Sequence, residues 1–307
     1  MAIKKKPVVV TVGVFDGVHA GHLALLGEAR RIADSRGARL VAASFDPHPA
    51  SVLRAGDFLG LLTSPSYRTK LLKAAGVDAV EFLEFNDNLR RLTPDEFVDE
   101  ILVTQLQADV IVVGSNFRFG NKAAGDVSVL QALATKFGFE VEVVALKGDT
   151  SAWSSTRIRK EILAGDVAAA RKLLGRPHRL SGEVIYGDQR GRELGFPTAN
   201  LSVAHGVIIP ADGVYAGLLT TNDEVLPAAI SIGTNPTFAD VLTRRVEAYV
   251  LDRTDLKLYG QQIDLDFLGH IRGMQAFSSV DELIVAMNAD VATARGQIDD
   301  FLEGTGH

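Results

Sequence analysis

The apolar positions of this chain follow one rhythm in its first half and another in its second. Residues 8–12 are almost continuously apolar and β-branched, the pattern of a parallel strand buried on both faces. Apolar residues then recur at helical spacing from Leu23 to Ser35, and residues 39–45 predict a second strand. The alternation continues with a helix ending at Lys73, for which Thr63 or Ser64 is a suitable cap, a strand over 77–82 and a helix over 94–106. Strands over 110–113 and 139–146 follow, and Ser154 opens a helix running to about Leu163. Strands that alternate with helices predict a parallel sheet wound on both faces.

Beyond residue 180 the rhythm shortens. Strands over 180–186, 213–220, 228–232, 245–251 and 262–268 are separated by Gly, Pro, Asn and Asp, which predicts an antiparallel sheet or small barrel. A helix ends over 171–174, and Gly175-Arg176-Pro177-His178 reads as the linker, so the expected domains are residues 1–177 and 178–307. A final helix over 279–302 carries Val280, Leu283, Met287, Ala294 and Ile298 at helical spacing and is expected to pack on the barrel. The predicted fold class is therefore α/β plus β: a doubly wound parallel-sheet domain, then a small antiparallel β-barrel with a terminal helix.

Candidate chemistry gathers first at Gly13-Val14-Phe15-Asp16-Gly17-Val18-His19-Ala20-Gly21-His22, on the turn between the first strand and first helix. A helix N-terminus there offers unpaired N–H groups to an anion, and Gly17 and Gly21 allow close approach, so phosphate is the natural guest. His19 and His22 share a helix face. They can donate to a nucleotide triphosphate, bind a metal as a pair, or divide into one capping and one packed residue. In Asp46-Pro47-His48-Pro49 two prolines hold His48 at a strand end, as ligand contact or turn residue.

Asn116 and Arg118 lie in the loop Gly114-Ser115-Asn116-Phe117-Arg118-Phe119-Gly120, where Asn116 suits a base edge or a turn and Arg118 a phosphate or solvent. Ser154-Ser155-Thr156-Arg157-Ile158-Arg159-Lys160 places cations at the unfavourable end of a helix dipole, which predicts either an anion nearby or solvated side chains. The topology predicts that His19, His48, Asn116 and Arg159 converge on one sheet edge. In the second half, Gly195-Phe196-Pro197-Thr198-Ala199-Asn200 reads as Mg²⁺-ligating oxygens or as an ordinary turn. Glu247 shares a strand face with Arg245 and Tyr249, which a solvated face would explain equally.

Composition narrows the classes. The chain has 307 residues, 47% hydrophobic content and a net charge of -6, which predicts a soluble globular protein of two domains and argues against a nucleic-acid binder. Its lack of cysteine excludes disulfides, thiolate metal sites and cysteine nucleophiles, and is compatible with a reducing compartment. The apolar run after the basic start meets Phe15-Asp16 too early for a signal peptide, and no stretch reaches membrane-spanning length. The expected location is cytoplasmic, without membrane or nucleic-acid partners; a homo-oligomer is compatible with these features.

Together these motifs resemble the bacterial bifunctional riboflavin kinase/FMN adenylyltransferase, or FAD synthetase, family from about residue 8 to 301. The ordered set also includes Gly213-Val214-Tyr215, Asn235-Pro236-Thr237-Phe238 and Leu258-Tyr259-Gly260. The resemblance implies a nucleotidyltransferase-like domain joining FMN to AMP, and a kinase barrel phosphorylating riboflavin with ATP and Mg²⁺. It assigns His19, His22, Asn116, Ser155, Thr156 and Arg159 to adenylyl transfer, with Gly13, Phe15, Gly21, His48 and Arg157 as further ligand contacts. Glu247 is the expected kinase base, with Thr198 and Asn200 holding Mg²⁺; Gly195, Pro197, Tyr215 and Arg272 are expected ligand contacts there. A single-activity FMN adenylyltransferase with a flavin-binding second module is the alternative. The chain departs from the family pattern at Val14, often Asn, at Ala123-Ala124, often basic, and at Gly273-Met274, usually polar.

Overall fold

A computed structural model describes residues 6–145, 154–187, 195–234 and 244–304. The chain divides into two compact units, Met1–Ser155 and Thr156–His307. This division falls before the expected boundary at 177/178. The two helices between these points go with the barrel unit, and Val167 on the second of them belongs to the barrel's core cluster.

The first unit is built on parallel strands β1 (Val8–Val12), β2 (Arg39–Asp46), β3 (Ala79–Glu84), β4 (Val110–Gly114) and β5 (Glu140–Val144). Their order is β3-β2-β1-β4-β5. The chain winds outward from β1 on one side and resumes at β4 on the other, so a topological switch point lies between β1 and β4. Both central strands are buried throughout, as their unbroken apolar runs require.

Helices cover both faces. Helices α1 (Ala20–Ser35) and α3 (Pro65–Ala74) pack through Leu26, Ala29 and Leu72 on Val9, Leu40 and Val112. On the opposite face, Val10, Ile111 and Val113 share a core cluster with Val98 and Leu102, and with Leu130 and Ala134. The first two belong to a π-helical stretch, Phe97–Gln105, that continues α4 (Pro94–Glu96); the others belong to α5 (Val127–Phe137). Fully burying each such aliphatic side chain contributes about 1.5–3 kcal/mol. Capping fixes the starts: the Ser64 hydroxyl accepts from Tyr67 N–H, Asp126 caps α5, and Thr93 and Glu96 cap each other reciprocally. A short helix α2 (Pro49–Leu53) and the helix α5 were not anticipated from the sequence.

In the second unit, α6 (Ser155–Leu163), whose first residue falls at the division, and α7 (Val167–Leu174) precede the barrel. Its strands are β6 (His178–Ile185), β7 (Thr198–Val203), β8 (Gly213–Thr220), β9 (Val225–Thr234), β10 (Arg244–Val250) and β11 (Gln262–Arg272). They close in the order β10-β7-β6-β11-β8-β9. Period-two alternation turns Leu180, Ala199, Leu201, Val246 and Ala248 into the barrel core.

The terminal helix α8 (Val280–Gly304) packs on the barrel's outer wall, with Ala294 and Ile298 against Ala216, Leu218 and Leu268. Its contact is confined to the later turns. Val280 and Val285 are exposed, whereas the expected apolar stripe began at Val280.

Candidate active sites

The turn after β1 is held by a buried polar clamp. Asp16 accepts from Leu62 N–H at 2.9 Å and from Thr63 N–H and Oγ1 at 3.0 Å each. Thr63 Oγ1 in turn accepts from Gly17 N–H. Arg68, 1% exposed, stands 3.5 Å from Asp16 and donates to the carbonyls of Val14 and Phe45 and to Ser44 Oγ. Phe15 and Val18 adopt φ of 50° and 38°, left-handed conformations that cost a side-chain-bearing residue of order 1–3 kcal/mol. Burial of the Phe15 ring and the Val18 methyls, together with the clamp, over-determines this strained turn.

The turn delivers two imidazoles to the start of α1. His19 is the N-cap, its Nδ1 accepting from His22 N–H at 3.4 Å, and the two rings stack at 3.7 Å between centroids. Phe15 meets the His22 ring edge-on at 5.3 Å. Gly13 brings the backbone so close to Phe15 that a Cβ would lie 3.0 Å from that ring. Among the described residues, no cluster of three or more His, Cys, Asp or Glu could hold a metal ion.

Above the carboxyl ends of β1 and β4 lies a cavity of about 1150 Å³, lined at its base by Gly13, Phe15, His19, Gly21, His22 and Asn116. It sits at the switch point of the sheet, where open α/β sheets bind ligands. Phe45, Phe85 and Phe117 add an aromatic wall. Five cationic side chains, Arg54, Arg90, Arg91, Arg118 and Lys122, also line it, and among the described residues no Asp or Glu does. Of these, sequence reasoning had singled out only Arg118. The others come from the residue that ends α2 and from two single turns of 3-10 helix, Leu89–Arg91 and Asn121–Ala123, where no periodicity marks a side chain as facing a ligand.

The remaining expected residues divide. Ser155 Oγ donates to the Asp16 carbonyl at 3.0 Å, tying the start of α6 to the strained turn. Thr156, Arg157 and Arg159 fall in the second unit; Arg159 is buried, and exposed Arg157 pairs with Glu161 at 3.6 Å. His48 does not line the cavity. Its Nδ1 accepts from Ala50 N–H at 3.0 Å as the cap of α2, its ring packs on Phe58, and the next residue, Pro49, faces the cavity instead.

On the barrel, Thr198 and Asn200 lie two apart on β7 and so share a face. Glu247 on β10 pairs in register with Asn200, and the Thr198 hydroxyl donates to Glu247 Oε2 at 3.2 Å. Their neighbours Ala199, Val246 and Ala248 belong to the core cluster, so the hydroxyl, carboxamide and carboxylate stand on the outer face. A Cβ on Gly187 would fall 2.3 Å from Asn200 Nδ2, so glycine is what admits that carboxamide. The set offers oxygen donors alone, which fits Mg²⁺ held largely by nucleotide phosphates. Gly195, at φ 85°, and Pro197 lead into this strand, with Phe196 edge-on to Tyr249 at 5.1 Å.

Two further expected ligand contacts, Tyr215 and Arg272, are held by partners within the second unit. Tyr215 is fully buried, its hydroxyl donates to the Ala211 carbonyl at 2.6 Å, and burial pushes that hydroxyl up to a pKa of about 12. Arg272 is engaged bidentately by Asp290 of α8 at 2.8 and 2.7 Å. Both are polar residues that the barrel itself uses. The motif Asn235-Pro236-Thr237-Phe238 lies outside the described residues.

A parallel-sheet unit with a switch-point cavity and a small β-barrel unit are matched by the two families of a two-domain transferase of phosphorus-containing groups. Residues 2–157 match the FAD synthetase family and residues 174–298 the riboflavin kinase family. The chain is 35% identical to the bifunctional riboflavin kinase/FMN adenylyltransferases of Listeria monocytogenes and Escherichia coli K12, covering 94% of this chain and 91% of each relative. The Pseudomonas fluorescens enzyme of the same name is 36% identical over 94% and 92%. A crystal structure described as a macrolide-efflux protein from Streptococcus pneumoniae matches with a TM-score of 0.85 and 33% identity over 95% of both chains. The chain belongs to the bifunctional riboflavin kinase/FMN adenylyltransferase family. Among the described residues, no helix is long and apolar enough to cross a membrane.

Proposed function

We propose that the barrel unit phosphorylates riboflavin to FMN with Mg²⁺-ATP, and that the site built on the first unit joins FMN to AMP, giving FAD and pyrophosphate. The cavity at the β1/β4 switch point carries this reading: about 1150 Å³ exceeds the ~300–1,000 Å³ usual for one small ligand, and the charged side chains that line it among the described residues are all cationic. Two substrates bearing phosphates suit such a lining.

In adenylyl transfer a phosphate oxygen of FMN, already anionic, attacks the α-phosphorus of ATP; the new P–O bond forms as the bond to pyrophosphate breaks, and no proton moves. The protein therefore aligns the substrates and stabilises charge. His19, His22 and the N–H groups opening α1 take the polyphosphate, Asn116 reads the base, and Ser155 completes the site within the first unit. In the kinase step the ribityl hydroxyl must lose a proton. Glu247 accepts it as the oxygen bonds to the γ-phosphorus and ADP departs. Thr198 and Asn200 hold Mg²⁺, which neutralises phosphate charge when bound.

Dependence on ATP and a cysteine-free sequence support a cytoplasmic location, with small molecules as substrates. Incubating it with riboflavin, ATP and Mg²⁺ and separating the flavins by chromatography tests the reading: FMN appears first, then FAD, many molecules per chain. Absence of both overturns it. FAD formed from supplied FMN, without phosphorylation of riboflavin, would leave a single-activity adenylyltransferase.

A further inference from the structure

The cavity of the first unit must tell FMN from riboflavin, which differ by one phosphomonoester. Two adjacent guanidiniums at its rim are placed for this. Leu89–Arg91 forms one turn of 3-10 helix, fixed from below by Asn86, whose Oδ1 accepts from Asn88 and Leu89 N–H at 3.0 Å each. Arg90 and Arg91 both line the cavity, and so do Phe85 and Leu89 of the same segment. An aromatic and aliphatic surface thus runs directly into a dicationic end, the shape and charge order of a flavin bearing a terminal phosphate.

The turn is locked to a neighbouring segment of the cavity lining. Asn121 N–H donates to the Leu92 carbonyl at 2.7 Å, and a Cβ on Gly120 would lie 2.8 Å from Pro94 N, so Asn121–Ala123 is pressed against the chain that follows Arg91. That neighbouring segment offers Lys122 and then Ala123, a single cation. Asp87 pairs with Arg90 at 2.9 Å and with Arg91 at 3.8 Å, so one carboxylate serves two guanidiniums and the turn keeps a net positive charge. The His19–His22 pair lies instead at the start of α1.

We infer that Arg90 and Arg91 are the binding residues for the phosphomonoester of the flavin substrate, selecting FMN over riboflavin, while the α1 terminus takes the nucleotide. This rests on the adenylyltransferase reading of the first unit.

The test measures FAD formation from supplied FMN for R90Q/R91Q, R90K/R91K and D87N, beside riboflavin phosphorylation in the same preparations as the control for folding. For R90Q/R91Q the KM for FMN rises about tenfold or more, while the KM for ATP and the kinase reaction stay within about twofold. The lysine variant recovers part of the loss, because it keeps charge but not the guanidinium fork. D87N lowers the KM for FMN, since the competing carboxylate is gone. An unchanged KM for FMN in R90Q/R91Q, or a rise confined to ATP, overturns the inference. Parent protein making no FAD from FMN and ATP would instead overturn the underlying reading.

Discussion

Arg68 Nη2 stands 3.5 Å from Asp16 Oδ1, and each side chain is 1% exposed. The pair lies beneath the turn that carries His19, and Arg68 also holds the carbonyls of Val14 and Phe45. Removing the guanidinium leaves a carboxylate buried without its cation, a change that costs about 3–5 kcal/mol. Arg68→Ala is therefore expected to lower the Tm markedly and to reduce FAD formation. Asp16→Asn keeps the shape and some hydrogen bonds and should cost less. Thermal denaturation of both variants, beside the rate of FAD formation, checks the order.

His22 and His19 separate by their second duties. His22 shares its ring stack with His19, while His19 also caps α1. His22→Ala should lower kcat for FAD formation by about 10²–10³, the usual cost of one lost donor to developing charge, and leave stability nearly unchanged. His19→Ala should add the loss of a cap, about 0.5–2 kcal/mol. His19→Asn restores the cap without the imidazole, so it should recover the Tm and not the rate. Turnover measured beside thermal melts of all three separates catalysis from capping.

Glu247 receives the Thr198 hydroxyl, an arrangement that orients a carboxylate on the barrel's outer face. As a general base it contributes about 10²–10⁴ in rate, so Glu247→Gln should reduce riboflavin phosphorylation by that factor. FAD formation from supplied FMN should persist. Thr198→Val, which removes both the orienting bond and a Mg²⁺ oxygen, should raise the Mg²⁺ concentration needed for half-maximal rate. Kinase assays over a Mg²⁺ series distinguish the two variants.

The central strands were the most legible part of the fold, because β1 and β4 are apolar at nearly every buried position, with Thr11 the polar exception. The barrel was legible as a change of rhythm. Strand β7 was not: Pro197-Thr198-Ala199-Asn200 carries turn-forming residue types, and only its pairing with β6 and β10 makes it extended. The His19/His22 turn could be placed from sequence, since glycine, helix start and histidine spacing all coincide there. Its support could not. Arg68 meets Asp16 across 52 residues of chain, and Arg54, Arg90 and Arg91 reach the cavity from segments whose direction only tertiary packing sets. Tyr215 and Arg272 show a further limit of the sequence, which does not reveal that the barrel unit also gives these polar side chains partners of their own, Ala211 and Asp290.

Tyr215 yields a prediction about alkaline pH. Burial raises its hydroxyl from 10.0 to about 12, the Asp212 carboxylate pushing the same way and Arg244 opposing. Between those values the unfolded chain releases the proton while the folded chain retains it. Stability attributable to this group is thus fully present below pH 10 and declines as pH rises toward 12, by roughly 2–3 kcal/mol in all. Tyr215→Phe removes the titrating proton together with the 2.6 Å bond to the Ala211 carbonyl. The variant should be less stable at neutral pH, by about 0.5–1.5 kcal/mol for one buried hydrogen bond. Its stability should fall less steeply over the alkaline window, so that the difference between the two proteins narrows there. Urea unfolding at pH 7, 9 and 10.5, followed by circular dichroism, reads this out. Parallel alkaline decline in both proteins would show that Tyr215 is not the group responsible.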